Sequence, residues 1–398
     1  MSRPDAPPAQ PWAAQVFQPF PEARGIVFAR AAARSALFTG VDPRAGDDVV
    51  VGSAAGFDAR DTAGRATGEL IERMANIVAG RAAEAEGQPI ATHRELRRAG
   101  RRAVDPGLLD PRAHAAANGD EARDAVHLWV PGRSLSTGDE VLVPAAAVYL
   151  RHRPPSRCRA GGAAGSTGVA AHPDEASAIG HAAWEVLERD LIRRSWYQVE
   201  TAPPVAVELR LRADLTESLA ALRVTATGFL LPAPAGVACV VVCVHGPEGT
   251  GQTFGARCGP AADVSVSADK AAYEALMVRW SLDTAIARRG WDRWAGATAP
   301  RTALEHALWA FHGQDSLGLW LADARAGPAS PSARAVDAGS VLAAHTGGDA
   351  IAVPTMSAQA REAGLHVVRV VAPGAFALPS GPPGAGGPPR SRRPHPFG

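Results

Sequence analysis

The sequence is short of lysine, of cysteine and of long apolar runs, and each shortage removes a class of protein. Of the 41 basic residues only Lys270 is a lysine. With the excess of Ala, Gly, Pro and Arg, this reads as codon bias in a GC-rich bacterial genome and not as chemistry. The four cysteines, Cys158, Cys239, Cys243 and Cys258, have no CxxC spacing and are too sparse for a secreted disulfide scaffold. No stretch approaches the roughly 18 to 20 apolar residues of a membrane helix, and the start, MSRPDAPPAQPW, has no apolar core after a basic beginning. A cytoplasmic protein with no membrane partner is expected. The formal net charge is only +1, so nucleic acid is not a favoured partner.

What is present is a 398-residue chain with 46% hydrophobic residues, enough to bury a sizeable core. Residues 1–24 are rich in Pro and Ala without periodicity and read as an extended arm. Helical periodicity over 62–79 (TAGRATGELIERMANIVA) predicts a long helix. The segment 125–150 reads as two strands about a turn at Gly138-Asp139, and a Gly- and Arg-rich loop follows. Asp174 is placed to cap a second long helix through EASAIGHAAWEVLERDLIRRSWY. Residues 201–245 read as strand-rich, with Cys239 and Cys243 in a buried strand, 268–290 as a third helix and 364–372 as a buried strand. The architecture expected is an internally duplicated α+β domain of interleaved helices and strands.

The motif that carries chemistry occurs twice, as Glu69-x-x-Glu72-Arg73 and Glu185-x-x-Glu188-Arg189. Helix positions three apart point the same way, so each copy aims two carboxylates at one spot, half of a hard-cation site. Mg2+ keeps phosphate oxygens and water in its octahedral shell, so two facing pairs suit ions that bridge a nucleotide, with Arg73 and Arg189 in reach of phosphate. A solvated helix face, where such i,i+4 pairs contribute about 0.2–0.5 kcal/mol each, is the plain alternative. Two copies on otherwise apolar helices favour the site. The histidines give less: His172, His181 and His245 are not assigned to catalysis, and His127 and His366 have no ligand-spaced neighbours for zinc.

These segments resemble the YcaO domain family, whose members use ATP and Mg2+ to activate a peptide-backbone amide oxygen. GELIER is similar to the family's first nucleotide motif, WVPGRSLSTGDEVLVPA to its central strands, GSTGVAA followed by EASAIGHAAWEVLERD to its turn and second helix, and GLHVVRVVAPG to its last strand. The tail Arg393-Pro394-His395-Pro396-Phe397-Gly398 resembles the PxPxP ending of azoline-forming members. The likeness spans roughly residues 40 to 398, and divides the chain into an arm (1–24), a YcaO domain (25–378) and a Pro-rich tail (379–398).

The resemblance implies Glu69, Glu72, Glu185 and Glu188 as metal ligands, and Arg73, Ser166, Gly168 and Arg189 at the nucleotide. It also implies that Pro394, Pro396 and Gly398 present the C-terminus to the active site. The chain departs from the family pattern at Arg65, Ser177, Val278 and Ser281; the last two stand where the third helix is expected to carry Glu and Gln. The activity implied is ATP-dependent conversion of Cys, Ser or Thr in a ribosomal precursor peptide to thiazoline or oxazoline, in natural-product biosynthesis of the thiazole/oxazole-modified microcin or thiopeptide kind. A separate leader-peptide-binding protein, E1-like or ocin-ThiF-like, would deliver the substrate, and a homodimer is compatible with this. Thioamide or amidine formation, or a non-catalytic subunit, are the alternatives.

Overall fold

The computed structural model describes residues 12–41, 46–109, 116–159, 165–199, 201–295, 300–313, 315–327, 335–378 and 393–397. Gly398, residues 1–11 of the expected arm and 379–392 of the expected tail lie outside them. The strands in chain order are β1 (Gln15–Phe17), β2 (Val27–Arg34), β3 (Val49–Gly56), β4 (Ile90–Thr92), β5 (Val126–Ser134), β6 (Glu140–Pro144), β7 (Val169–His172), β8 (Val205–Val207), β9 (Thr225–Leu231), β10 (Val237–His245), β11 (Thr253–Pro260), β12 (Arg325–Ala326), β13 (Ile351–Pro354) and β14 (His366–Val371). They form three sheets, ordered β1-β2-β3, β11-β10-β9-β8-β12 and β4-β5-β13-β14-β7, with β6 paired to β5.

Three long helices lie among these sheets: α1 (Ala59–Ala85), α2 (Glu175–Tyr197) and α3 (Val264–Leu282). Asp58 caps α1 by accepting from the Asp61 amide, and Asp174 caps α2 by accepting from the Ser177 amide, as its place in the sequence implies. Ser177 is thus a first-turn residue of α2. The third helix is shorter than the periodicity suggests. It stops at Leu282, and Thr284 caps a separate helix, α4 (Ala285–Trp294), which α5 (Ala303–His312) follows. The strand-rich stretch 201–245 also holds a helix, Ala213–Ala221, which turns Leu215 and Leu219 inward. Part of the segment read as an arm, Gln15–Phe17, pairs with β2.

The duplication is visible in how hairpins pack on helices. Gly52 on β3 lies against the α1 backbone, where an added Cβ would stand 2.1 Å from the Ala66 carbonyl oxygen. Gly255 on β11 lies against α3 in the same way, 2.1 Å from the Ala271 oxygen. Only glycine permits such an approach. The β2-β3-α1 unit is therefore matched by β10-β11-α3, and Glu69 on α1 corresponds to Glu274 on α3. The two ExxER helices, α1 and α2, are not the matching pair. The main core packs α2 against β10, β11 and β14, around Trp196, Phe229, Phe254 and Trp320.

Candidate functional site

Strands β3, β7 and β11 each end a sheet, so each has one row of amides without a strand partner. Glutamates from the three long helices meet these edges. Glu69 Oε2 accepts from the Ser53 amide at 2.5 Å, Glu188 Oε2 from Cys258 at 2.9 Å and Glu274 Oε2 from Ala256 at 3.1 Å. Glu185 Oε2 accepts from Gly168, just before β7, at 3.0 Å, and Glu72 faces the Ala171 amide within β7. Five carboxylates thus line a cleft between three sheet edges.

Along β3 the pairing is a zipper. Arg65, Glu69 and Arg73, four residues apart on α1, meet the Ala55 carbonyl (2.7 Å), the Ser53 amide and the Val51 carbonyl (2.6 Å) in turn. Arg73 also pairs with Glu69 at 2.5 Å. Arg65 therefore has a structural task at the position where the family pattern differs, and the Arg73 Nη atoms are committed to the strand edge and to Glu69.

At the opposite wall Arg189 lies between Glu188 Oε1 (3.6 Å) and Glu274 Oε1 (3.7 Å). Burial pushes the Glu188 carboxyl up to about 7, because the pull of Arg189 and Arg257 does not offset burial and repulsion from Glu274 and Glu185. Glu72 and Glu185 form the centre. Burial, then repulsion from Glu185 and Glu69, holds the Glu72 carboxyl well above its ordinary value. Burial raises Glu185 too, against Arg189, the Gly168 amide, Arg369 and Arg257. Arg369, also buried, donates to the Gly165 carbonyl at 2.6 Å, has no partner for its Nε among the described residues, and its pKa is lowered by burial to about 10.

Among the described residues, no three His, Cys, Asp or Glu side chains converge to hold a metal ion alone. This donor set nevertheless fits Mg2+, which takes one or two carboxylates and completes its shell with phosphate and water. Glu72, which burial and then the neighbouring Glu185 and Glu69 raise, is where a cation would relieve the most repulsion. Ser166 accepts the Val169 amide in the turn that carries Gly168, and Gly168 holds φ +81° there.

Reasoning from sequence missed Glu274, Arg257 and Arg369. Glu274 interrupts the run KAAYEALMV as Glu69 and Glu185 interrupt theirs, and that signal lies one turn before Val278. Val278 and Ser281 instead line an apolar cavity of about 250 Å3 with Phe17, Phe28, Met277 and Trp280. The tail reaches the same cleft. Residues 394–397 are buried, the Trp196 Nε1 donates to the Arg393 carbonyl at 3.0 Å, and Phe397 lies against Phe254 and Trp320 with the Arg189 guanidinium 5.9 Å from its ring centre.

A family model of YcaO cyclodehydratases, described as ATP- and Mg2+-binding, matches residues 53–376. The chain belongs to the YcaO family. No curated protein matches it. Among solved structures, YcaO from Methanopyrus kandleri bound with AMPPCP and Mg2+ is 16% identical with a TM-score of 0.58, over 92% of this chain and 86% of that one. The E. coli microcin synthetase McbBCD complex with pro-MccB17 bound is 14% identical with a TM-score of 0.62, over 98% of each chain. A heterocyclase in complex with substrate and cofactor gives 17% and 0.65; this chain is covered to 94% and spans about half of that protein, 49%. The α+β fold expected from the resemblance is therefore the YcaO fold, and ATP and Mg2+ are the ligands of its family. Among the described residues no helix is long and apolar enough to cross a membrane.

Proposed function

We propose that this YcaO protein is an ATP-dependent cyclodehydratase that forms thiazoline or oxazoline rings from Cys, Ser or Thr of a ribosomal precursor peptide. One observation carries the choice: the Pro394-His395-Pro396-Phe397 segment, which resembles the ending of azoline-forming members, is buried against the cleft wall at Arg189. In this reading the substrate's thiol or hydroxyl adds to the preceding backbone carbonyl, and the former carbonyl oxygen takes the γ-phosphoryl group of ATP. ADP leaves, then phosphate leaves as the amide proton is lost, and a C=N bond forms within the ring that the addition had closed.

Glu72 and Glu185 would hold Mg2+, with Glu188 adjoining, and the bound ion would neutralise charge on the phosphate oxygens as the phosphoryl group moves. Arg189, Arg257 and Arg369 supply the fixed positive charge around these carboxylates. The turn at Ser166 and Gly168 lies beside the phosphate position. Glu69 and Arg73 serve first to close the β3 edge and to set the α1 face that bears Glu72.

The test combines the chain with a precursor peptide, a leader-binding partner, ATP and Mg2+. Mass spectrometry should show one water lost per modified residue, with one phosphate released for each ring. A gain matching exchange of oxygen for sulfur, with a sulfur donor present, would indicate thioamide formation instead. ATP·Mg2+ binding that is unchanged in Glu72→Gln and in Glu185→Gln would remove these two residues from the site.

A further inference from the structure

We propose that His306 is the positioning residue that seats the C-terminal tail in the cleft, acting through His395. Its effect on turnover rests on the function proposed above; its effect on the tail does not. His306 lies on α5 and is 1% exposed. Its Nδ1 is 2.9 Å from the His395 carbonyl oxygen, which can only accept, so Nδ1 carries the proton. The Nε2 of the same ring is then a bare acceptor, buried with no partner among the described residues.

A buried, half-satisfied imidazole is an expensive choice for a helix face that leucine could fill. The ring must therefore be held by what it touches. It stacks on the His395 ring with centres 3.9 Å apart and planes within 7°. His395, 4% exposed, accepts the Phe397 amide at its own Nδ1, 3.3 Å away, and so fixes the chain direction one residue before the end. Accepting at Nδ1 requires a neutral His395 ring, and burial lowers the His306 pKa against the bond to the His395 carbonyl, which raises it.

The division of labour in the tail follows. Pro394 and Pro396 restrict the backbone, whereas the residues after each proline, His395 and Phe397, carry the anchors. Trp196 holds the Arg393 carbonyl, His306 holds the His395 carbonyl, and Phe397 fills the space beside Arg189. Without His306 the stretch between the Trp196 bond and the Phe397 ring loses the hydrogen bond to the His395 carbonyl and the stack on the His395 ring.

The experiment is hydrogen exchange of the C-terminal peptide in the full chain, read beside turnover, for His306→Ala, His306→Asn, His395→Ala and the double alanine variant. Exchange at the Phe397 amide should quicken about tenfold or more in His306→Ala. His306→Asn, which keeps a donor near the Nδ1 position, should recover much of the protection. The double variant should be no worse than the worse single one, since both act at one contact. kcat should fall while KM for ATP stays within about threefold.

Unchanged exchange in a folded His306→Ala, or additive effects in the double variant, would overturn the assignment. If His306→Ala does not fold, His306→Asn against His395→Ala decides the same question. A freed tail with full turnover would leave His306 as the tail's anchor and overturn instead the tail's part in the reaction.

Discussion

Replacing Glu188 by glutamine should stabilise the ligand-free protein at pH 8, against the usual direction of a core substitution. The folded chain releases the Glu188 proton near 7 and the unfolded chain near the ordinary 4.5. Between those values the folded state binds more protons, so stability falls as pH rises and stays low above 7. The whole span corresponds to roughly 3 kcal/mol. Glutamine keeps an oxygen for the Cys258 amide but turns an NH2 toward Arg189, 3.6 Å from the present Glu188 Oε1. That donor-to-donor contact costs about 1–2 kcal/mol. The net expectation is a gain of about 1–2 kcal/mol at pH 8 that vanishes or reverses near pH 4.5. Urea titrations of both proteins at the two pH values, without ATP or Mg2+, measure it. A variant less stable than the parent at pH 8 would show that Glu188 and Arg189 form a net stabilising ion pair, and the account of the cleft as a region of excess negative charge would fail.

Other substitutions probe different links. Gly168→Ala puts a Cβ 2.7 Å from the Val370 oxygen and 2.6 Å from Val186 Cγ2 at a φ of +81°; a loss of about 2–4 kcal/mol should appear in urea melts. Asp190, fully buried, accepts from Arg194 and His345, both at 2.7 Å, and from the Phe376 amide. Asp190→Asn should cost about 3–5 kcal/mol by the same measurement and loosen residues 375–378 in hydrogen exchange. At Glu84, burial is outweighed by hydrogen bonds from His152, the Arg153 amide and Arg81, so its pKa lies below the ordinary carboxylate value. Its contribution is present above about pH 4.5 and is lost on acidification, so Glu84→Gln should lower stability at pH 7 and flatten the acid limb of the stability–pH curve.

Much of this arrangement was legible in the sequence because it is local. Apolar spacing marks α1, apolar spacing and the cap Asp174 mark α2, and the turn at Gly138-Asp139 separates β5 from β6. The motif glutamates stand out because they interrupt apolar helices. What was not legible depends on which strand ends a sheet. That β3, β7 and β11 are edges, and that Glu69 and Glu274 are the matched pair, follows from pairings between distant segments. Glu274 went unread on the third helix because periodicity marks a helix without saying which of its residues meets a strand edge, whereas the contact of Gly255 with the α3 backbone sets that register. The tail's anchors, His395 and Phe397, sit at positions that a Pro-based motif leaves unspecified.

The zipper of Arg65, Glu69 and Arg73 along β3 affects how such sequences are to be read. A descendant that had lost all catalysis would still need these side chains, because without them a sheet edge lies open to other chains. Their survival testifies to a closed fold before it testifies to chemistry. In the function proposed here, the residues that would separate a working member from a retired one are the crowded acids, Glu72 and Glu185, whose repulsion a protein without a cation to bind has reason to discard.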